Sequence, residues 1–339
     1  MKAPDHDEVE ITLFGRGVGE CLVVHLDGDW IVIDSHQVAS QKPRQPVALR
    51  YLDELGVTPH KVAALVVTHF HSDHYRGIDR LFDTCSSARL MATEALQTET
   101  FEQLYADDQA DPLLGMIPNV IRRARKRAMP GGSPGFRALK VGTSVHVNGA
   151  GKITALSPSE AAVQESCVAL AASLRTTDRY VVDKQLRDDN RCAVVLHVDC
   201  KDFSALLTAD LVHDSAGFGW SALLGEPLNA LTQAADLVKV PHHGSKGADH
   251  PEMWTRLITD DPCLTVTPYW PSSLPTAADV SRLRGHGRLW QAAPSSHAYV
   301  DEFGNVVSTA PTTGRITARR KPGEAAWRIT TDGSAFEVM

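Results

Sequence analysis

The chain has no run of eighteen apolar residues, so no membrane-spanning helix is expected. Its first residues, Met1-Lys2-Ala3-Pro4-Asp5-His6-Asp7-Glu8, are acidic and carry no apolar core, which argues against a signal peptide there. Cysteine is scarce and scattered: Cys21, Cys85, Cys167, Cys192, Cys200 and Cys263 form no CxxC pair. Several lie inside apolar strand-like runs, and they read as reduced core residues of a cytoplasmic protein. Positive charge is not in excess either. The formal net charge of -7 gives no global attraction to nucleic acid, although a local basic groove would suffice for such a substrate. No internal repeat or low-complexity tract is visible. What remains, 43% hydrophobic and 22% charged over 339 residues, is an ordinary soluble composition, long enough for one large α/β domain.

Against this background one stretch is unusual. His69-Phe70-His71-Ser72-Asp73-His74 places four metal-capable side chains in six residues, directly after the apolar run Ala63-Ala64-Leu65-Val66-Val67-Thr68. That run reads as a buried strand, and Gly77 soon after marks the mouth of a helix. Strand alternation lets His69 and His71 point the same way, and the following turn brings Asp73 and His74 to a neighbouring position. Imidazole and carboxylate suit zinc, manganese or iron, and the spacing suits two adjacent metals better than one.

Along the chain, Val9 to Phe14, Cys21 to Leu26 and Trp30 to Ile33 read as strands, with Asp27-Gly28-Asp29 as a hairpin turn. The turn Gly15-Arg16-Gly17-Val18-Gly19-Glu20 lies between strands with no helix N-terminus behind it, so a phosphate loop is discounted. Pro46 to Leu55 has helical spacing and Gly56 stops it. Strands alternating with helices imply a layered α/β domain. Residues 94 to about 135 break the rhythm as a helical insert. It contains Arg122-Arg123-Ala124-Arg125-Lys126-Arg127, either a solvated helix face or a substrate-guiding arm. Ser159 is placed to cap a helix from Glu160. Strands Cys192 to Val198 and Phe203 to Thr208 follow, then Leu237 to Val240. Leu264 to Thr267 is expected to be the last strand of the main sheets. The expected division is 1–275 as the main domain, with 276–339 as a C-terminal helix and small β extension packed on it.

Four strands thus end in metal-capable or anchoring residues: Asp34, the His69–His74 cluster, Asp210 and His242-His243. In layered α/β proteins, sites collect where strand ends converge. At this point the chain resembles the metallo-β-lactamase fold superfamily, through His69-x-His71-x-Asp73-His74, Ile33-Asp34 and Leu207-Thr208-Ala209-Asp210. Gly15 to Glu20, Asn190 to Val195, Leu206 to Asp210 and Val238-Lys239-Val240-Pro241-His242-His243-Gly244-Ser245 look like its ComEC-type branch. The resemblance spans roughly residues 9 to 270 and implies an αββα sandwich with a dinuclear site along one edge. It further implies that His69 and His71 hold a first metal, that Asp73 and His74 hold a second, and that Asp210 bridges them. His242 or His243 would complete the second site. Asp34 would anchor the cluster, and Asn190 and Ser245 would either serve similarly or simply shape turns. Many relatives carry a further His where this chain has Ile153 to Ser159, without one; the ComEC-type branch lacks it too. His146, His25, His197, His213, His286 and His297 read as structural or surface residues.

The chemistry so implied is hydrolysis by a hydroxide generated on two divalent cations, zinc first with manganese or iron as alternatives. Asp73 or Asp210 would orient the water or take its proton. A phosphodiester of nucleic acid or nucleotide is the leading substrate, with Lys184, Arg187, Arg191 and Lys246 as candidates to hold its charge. A carboxylic ester, lactone, thioester or β-lactam is the runner-up, and a non-catalytic regulatory scaffold is the third reading. No membrane partner is expected.

Overall fold

Uninterrupted apolar strands need a core on each face, and this chain has many of them. In a computed structural model they form two stacked sheets. The structure describes the chain except residues 17, 38–43, 97–100, 102–112, 114, 150, 174–189, 215–216, 226–230, 232, 296–298, 301–305 and 308–312. The strands are β1 (Val9–Gly15), β2 (Glu20–Leu26), β3 (Asp29–Ile33), β4 (Val62–Val67), β5 (Arg89–Thr93), β6 (Phe136–Leu139), β7 (Ser144–Asn148), β8 (Gly151–Ala155) and β9 (Leu196–Cys200). They continue with β10 (Phe203–Leu207), β11 (Ala235–Lys239), β12 (Ile258–Val266), β13 (Arg288–Gln291), β14 (Tyr299–Val300), β15 (Val306–Val307), β16 (Gly314–Arg320), β17 (Arg328–Asp332) and β18 (Phe336–Glu337). One sheet runs β17-β16-β1-β2-β3-β4-β5-β6 and the other β18-β13-β12-β11-β10-β9-β8-β7.

Alternation sorts each strand's side chains into two cores. Leu22, Val24 and Leu26 of β2, with Ala64 and Val66 of β4, meet Leu196, Val198 and Leu237 of the other sheet between the layers. Cys21, Val23, Leu65 and Val67 instead face helices 47–54, 78–84 and 116–126 on the outside of the first sheet. Val195, Leu206 and Val238 pack against Trp220, Leu223, Met253 and Leu283, which belong to helices 220–225, 251–256 and 277–284 outside the second. The result is the expected αββα sandwich. Fully burying each Val or Leu contributes on the order of 1.5–3 kcal/mol, so the three cores dominate folding.

The sheets continue past Leu264–Thr267, contrary to expectation. β13 adds parallel to β12, while β16 pairs antiparallel with β1 and β17 with β16. These strands, RLWQ, GRITARR and RITTD, carry Arg and Thr rather than an uninterrupted apolar run, so periodicity alone does not reveal them as members of the main sheets. The basic run also acquires a role. Arg123 pairs with Asp83, Arg127 lies over the Phe82 ring and donates to the Phe82 carbonyl, and Arg125 lies over Phe136. These cations fasten helix 116–126 to its neighbours through stems and flat guanidinium faces. No helix among the described residues is long and apolar enough to cross a membrane.

Parallel pairing positions the site. β3 runs parallel to β4, and β10, β11 and β12 run parallel to one another, so within each group the C-terminal ends share an edge.

Candidate metal centre

The cluster is set by the residue between its first two histidines. Phe70 is buried, stacked on Tyr75 with ring centroids 5.2 Å apart and edge-on to Phe101 at 4.9 Å. With Phe70 turned into the outer core, alternation sends His69 and His71 the other way. A short helix, Ser72–Tyr75, then brings Asp73 and His74 round, and Ser35 N–H donates to the His74 carbonyl (2.7 Å). Gly77 follows at φ +90°, where a Cβ would lie 2.3 Å from the Gln37 amide, so the chain turns there only without a side chain.

Donor atoms from both sheets converge. His69, His71 and Asp210 form one group and Asp73, His74 and His243 another, each with ligand atoms within 4.8 Å of one another. Asp210 Oδ2 lies between them, 4.0 Å from His69 Nε2, 3.6 Å from His74 Nε2 and 3.4 Å from His243 Nε2. Asp73 Oδ2 is 3.6 Å from His74 Nε2 and 3.6 Å from His243 Nε2. A cavity of about 290 Å³ opens onto the site, lined by His71, Ser72, Asp73, Asp210, His242, His243 and Tyr269.

The hydrogen bonds behind these atoms fix which nitrogen each ring presents. His74 Nδ1–H donates to Asp34 Oδ2 (2.7 Å), and its fully buried Nε2 has no hydrogen-bond partner. Thr68 gives its hydroxyl proton to Asp34 Oδ2 (2.7 Å), so at 2.9 Å from His69 Nδ1 it must accept. His243 Nδ1 donates to the Thr267 carbonyl (3.2 Å). The Nε2 atoms of His74 and His243 thereby face the Asp73 and Asp210 carboxylates, while that of His69 lies 3.1 Å from His71 Nδ1 and 4.0 Å from Asp210 Oδ2. Such back-bonded imidazoles are the usual way of orienting ligands to a divalent cation.

Charge points the same way. Glu20 and Asp210 meet the buried ammonium of Lys239, whose Nζ lies 2.7 Å from Glu20 Oε1 and 3.5 Å from Asp210 Oδ1, while Asp34 and Asp73 lie against His74. Burial alone would depress the His74 pKa, yet the carboxylates of Asp210, Asp73 and Asp34 outweigh it and raise it well above the ordinary value. Burial would raise Asp210, but His243, His74 and Lys239 pull it well below. His69 is driven well down by burial and by His74 and His71. A site that keeps Asp73 and Asp210 ionised and draws protons onto His74 and His243 fits divalent cations, which would take the place of those protons.

Residues 14–136 match the family model for the metallo-beta-lactamase superfamily. That match covers a little over a third of the chain, the segment that carries the His69–His74 cluster. No curated protein matches the chain. Among solved structures, a HARLDQ-motif mutant of the metallo-beta-lactamase from Cronobacter sakazakii is 17% identical, with 67% of this chain and 75% of that one covered and a TM-score of 0.37. The metallo-beta-lactamase SMB-1 bound to 2-mercaptoethanesulfonate is 16% identical over 75% of this chain and 84% of its own, at a TM-score of 0.38. The metallo-beta-lactamase fold protein YhfI from Bacillus subtilis is 11% identical over 68% and 70%, at 0.34.

Within the αββα sandwich, the anticipated residues divide. His69, His71, Asp73, His74, Asp210 and Asp34 are brought together, and of the adjacent pair it is His243 that faces the carboxylates. His242 lines the cavity instead, with Nε2 3.4 Å from Asn190 Nδ2. Both histidines have left-handed backbone, φ 45° and 53°. Ser245 Oγ accepts from Gly247 N–H (3.3 Å), the turn role. Arg191 is paired with Glu165 (3.4 Å) and Asp214 (3.6 Å), Lys246 is exposed, and Lys184 and Arg187 lie outside the described residues. His146 sits 3.4 Å from Asp29, His25 bonds the Glu8 carbonyl (2.7 Å), and His286 stacks on Trp254. His197 is buried, His213 lies against His250, and His297 is outside the described residues. Sequence reasoning missed Glu20, Lys239, Thr267 and Tyr269 as site residues. A lysine within Leu237-Val238-Lys239-Val240 was the available signal, because a charge inside a buried strand requires a partner.

Proposed function

We propose that the chain is a metal-dependent phosphodiesterase or nuclease of the ComEC-type branch. The observation that carries the reading is Asp210 Oδ2, set 3.4–4.0 Å from three imidazole nitrogens whose opposite nitrogens are held. In this reading His69, His71 and Asp210 hold one cation, and Asp73, His74, His243 and Asp210 the other, zinc being the first choice. Such a pair, when bound, supplies Lewis acidity and a water whose pKa falls from about 15.7 towards ~7.

The chain's own groups do the rest. Asp73 and Asp210, kept ionised, are the proton acceptors beside the cavity. Tyr269 stacks on His243 at 5.0 Å, and burial together with Asp73 and Asp210 keeps its phenol protonated. It can therefore donate to a substrate oxygen. His242, outside the donor groups and on the cavity wall, is placed to contact substrate. Lys246 follows the same turn and is the candidate for meeting substrate charge.

The test combines metal analysis with three substrates: bis-p-nitrophenyl phosphate, single- and double-stranded DNA, and a p-nitrophenyl carboxylic ester. Diester cleavage that is lost on chelation and restored by zinc or manganese is the expected result. Cleavage of the carboxylic ester alone would replace the phosphodiester reading with ester hydrolysis.

A further inference from the structure

Beside the metal centre lies a second cavity of about 200 Å³, lined by Arg16, His36, Arg76 and Trp270 among others and sharing Ser72 and Asp73 with the first. Its character is opposite. The metal centre collects carboxylates, whereas this cavity receives two guanidinium groups from separate segments, the turn between β1 and β2 and the residue after helix 72–75. Among the described lining residues Asp73 is the acidic one, and its carboxylate lies 3.6 Å from both His74 and His243.

A second observation is independent of the arginines. His36 lines the cavity, is only 5% exposed, and its Nε2 has no hydrogen-bond partner. A buried polar atom of this kind is uncommon unless something outside the protein completes it. Burial, and then the positive field of Arg16 and Arg76, push its pKa down to about 4, so the ring is neutral in a pocket whose positive charge comes from the arginines. Gly19 keeps the ring in place, since a Cβ there would fall 1.9 Å from His36 Nδ1. Trp270 is fixed through its indole N–H, which donates to the Pro294 carbonyl (2.8 Å).

We propose that Arg16 and Arg76 form a subsite for a second, non-reacting phosphate of the substrate, with His36 completing its hydrogen bonds and Trp270 as the aromatic wall. The proposal rests on the phosphodiesterase reading and narrows it to substrates with at least two phosphates. The planar, always-charged guanidinium is the side chain best matched to phosphate oxygens. The shared wall of Ser72 and Asp73 makes the two cavities neighbours, so one ligand can occupy both.

Binding is measured by calorimetry on the metal-loaded protein with thymidine 5′-monophosphate, thymidine 3′-monophosphate and thymidine 3′,5′-bisphosphate. The bisphosphate should bind at least tenfold more tightly than either monophosphate. In Arg16→Gln/Arg76→Gln that advantage should shrink to within twofold, and Arg16→Lys/Arg76→Lys should keep part of it. An absent advantage in the wild type, or one that survives in the Gln variant, overturns the proposal. Circular dichroism verifies that the variants fold. Comparing pTpT with TpTpT tells whether the second phosphate is terminal or internal. Wild-type turnover of bis-p-nitrophenyl phosphate, which has one phosphate, reports on the reaction separately. A bisphosphate advantage without that turnover would reject the phosphodiesterase reading and leave the anion subsite standing.

Discussion

The two halves of the metal centre are anchored differently. On the first sheet, Asp34 accepts from Thr68 N–H (2.8 Å), Thr68 Oγ1 and His74 Nδ1, a set of short bonds within one sheet edge. On the second, Asp210 and His243 are backed by a chain of charge. Lys239 Nζ donates to the Ala209 carbonyl (2.8 Å) and meets Glu20, and Thr267 Oγ1 donates to Glu20 and lies 3.1 Å from His243 Nδ1. Glu20 belongs to β2 of the first sheet, so this anchor is also a strut between the sheets. The first half is held by hydrogen bonds to one acid, the second by a buried ion pair that spans layers.

The most damaging change should be Asp210→Ala, which removes the carboxylate lying between the two donor groups. It should lose at least one metal and nearly all turnover, well beyond the ~10–100-fold expected from losing a ligand's hydrogen-bond partner. Metal analysis and the diester assay measure this, and wild-type-like turnover would refute the bridging assignment. Next, Lys239→Met strands Glu20 and should cost about 3–5 kcal/mol in denaturant unfolding, while Glu20→Gln/Lys239→Met should recover much of that. If the double variant is no better than the single, the strut is not an ion pair in energetic terms. Asp34→Asn should be milder in stability but lower metal affinity ~10–100-fold, as read by competition with a chelating dye. The smallest stability effect belongs to Arg191→Ala, whose side chain is 31% exposed in its ion pairs, at within ~1 kcal/mol. An unchanged KM for DNA in that variant would remove Arg191 from the substrate-binding set.

The same contrast explains what could be read beforehand. The first half is contiguous: a buried strand, then His69 to His74, with Asp34 at the end of the adjacent strand, so spacing alone exposes it. Asp210 was visible because it too follows an apolar strand. Glu20 was not, since its partners Lys239 and Thr267 lie at the far end of the chain and only the stacking of the sheets joins them. Adjacent identical residues hid the choice between His242 and His243, which the left-handed backbone of that turn decides. Such non-glycine conformations cost on the order of 1–3 kcal/mol each and persist where surrounding contacts enforce them. The sandwich was legible from apolar strands alternating with helices, and so were β pieces after 276, but their membership of the main sheets was not, because no local pattern specifies a sheet position.

The pairing of β1 with β16, in register from Val9↔Arg320 to Gly15↔Gly314, has a consequence for synthesis. A strand near the start of the chain sits inside its sheet only after a segment near the end has been made. At about 5–20 residues per second, β1 waits roughly 15–60 s on the ribosome for its second neighbour. During that interval one edge of an apolar strand is open to other chains. Nascent polypeptides halted before residue 314 should therefore be the aggregation-prone species, and binding of the nascent chain by chaperones should cease once β16 emerges.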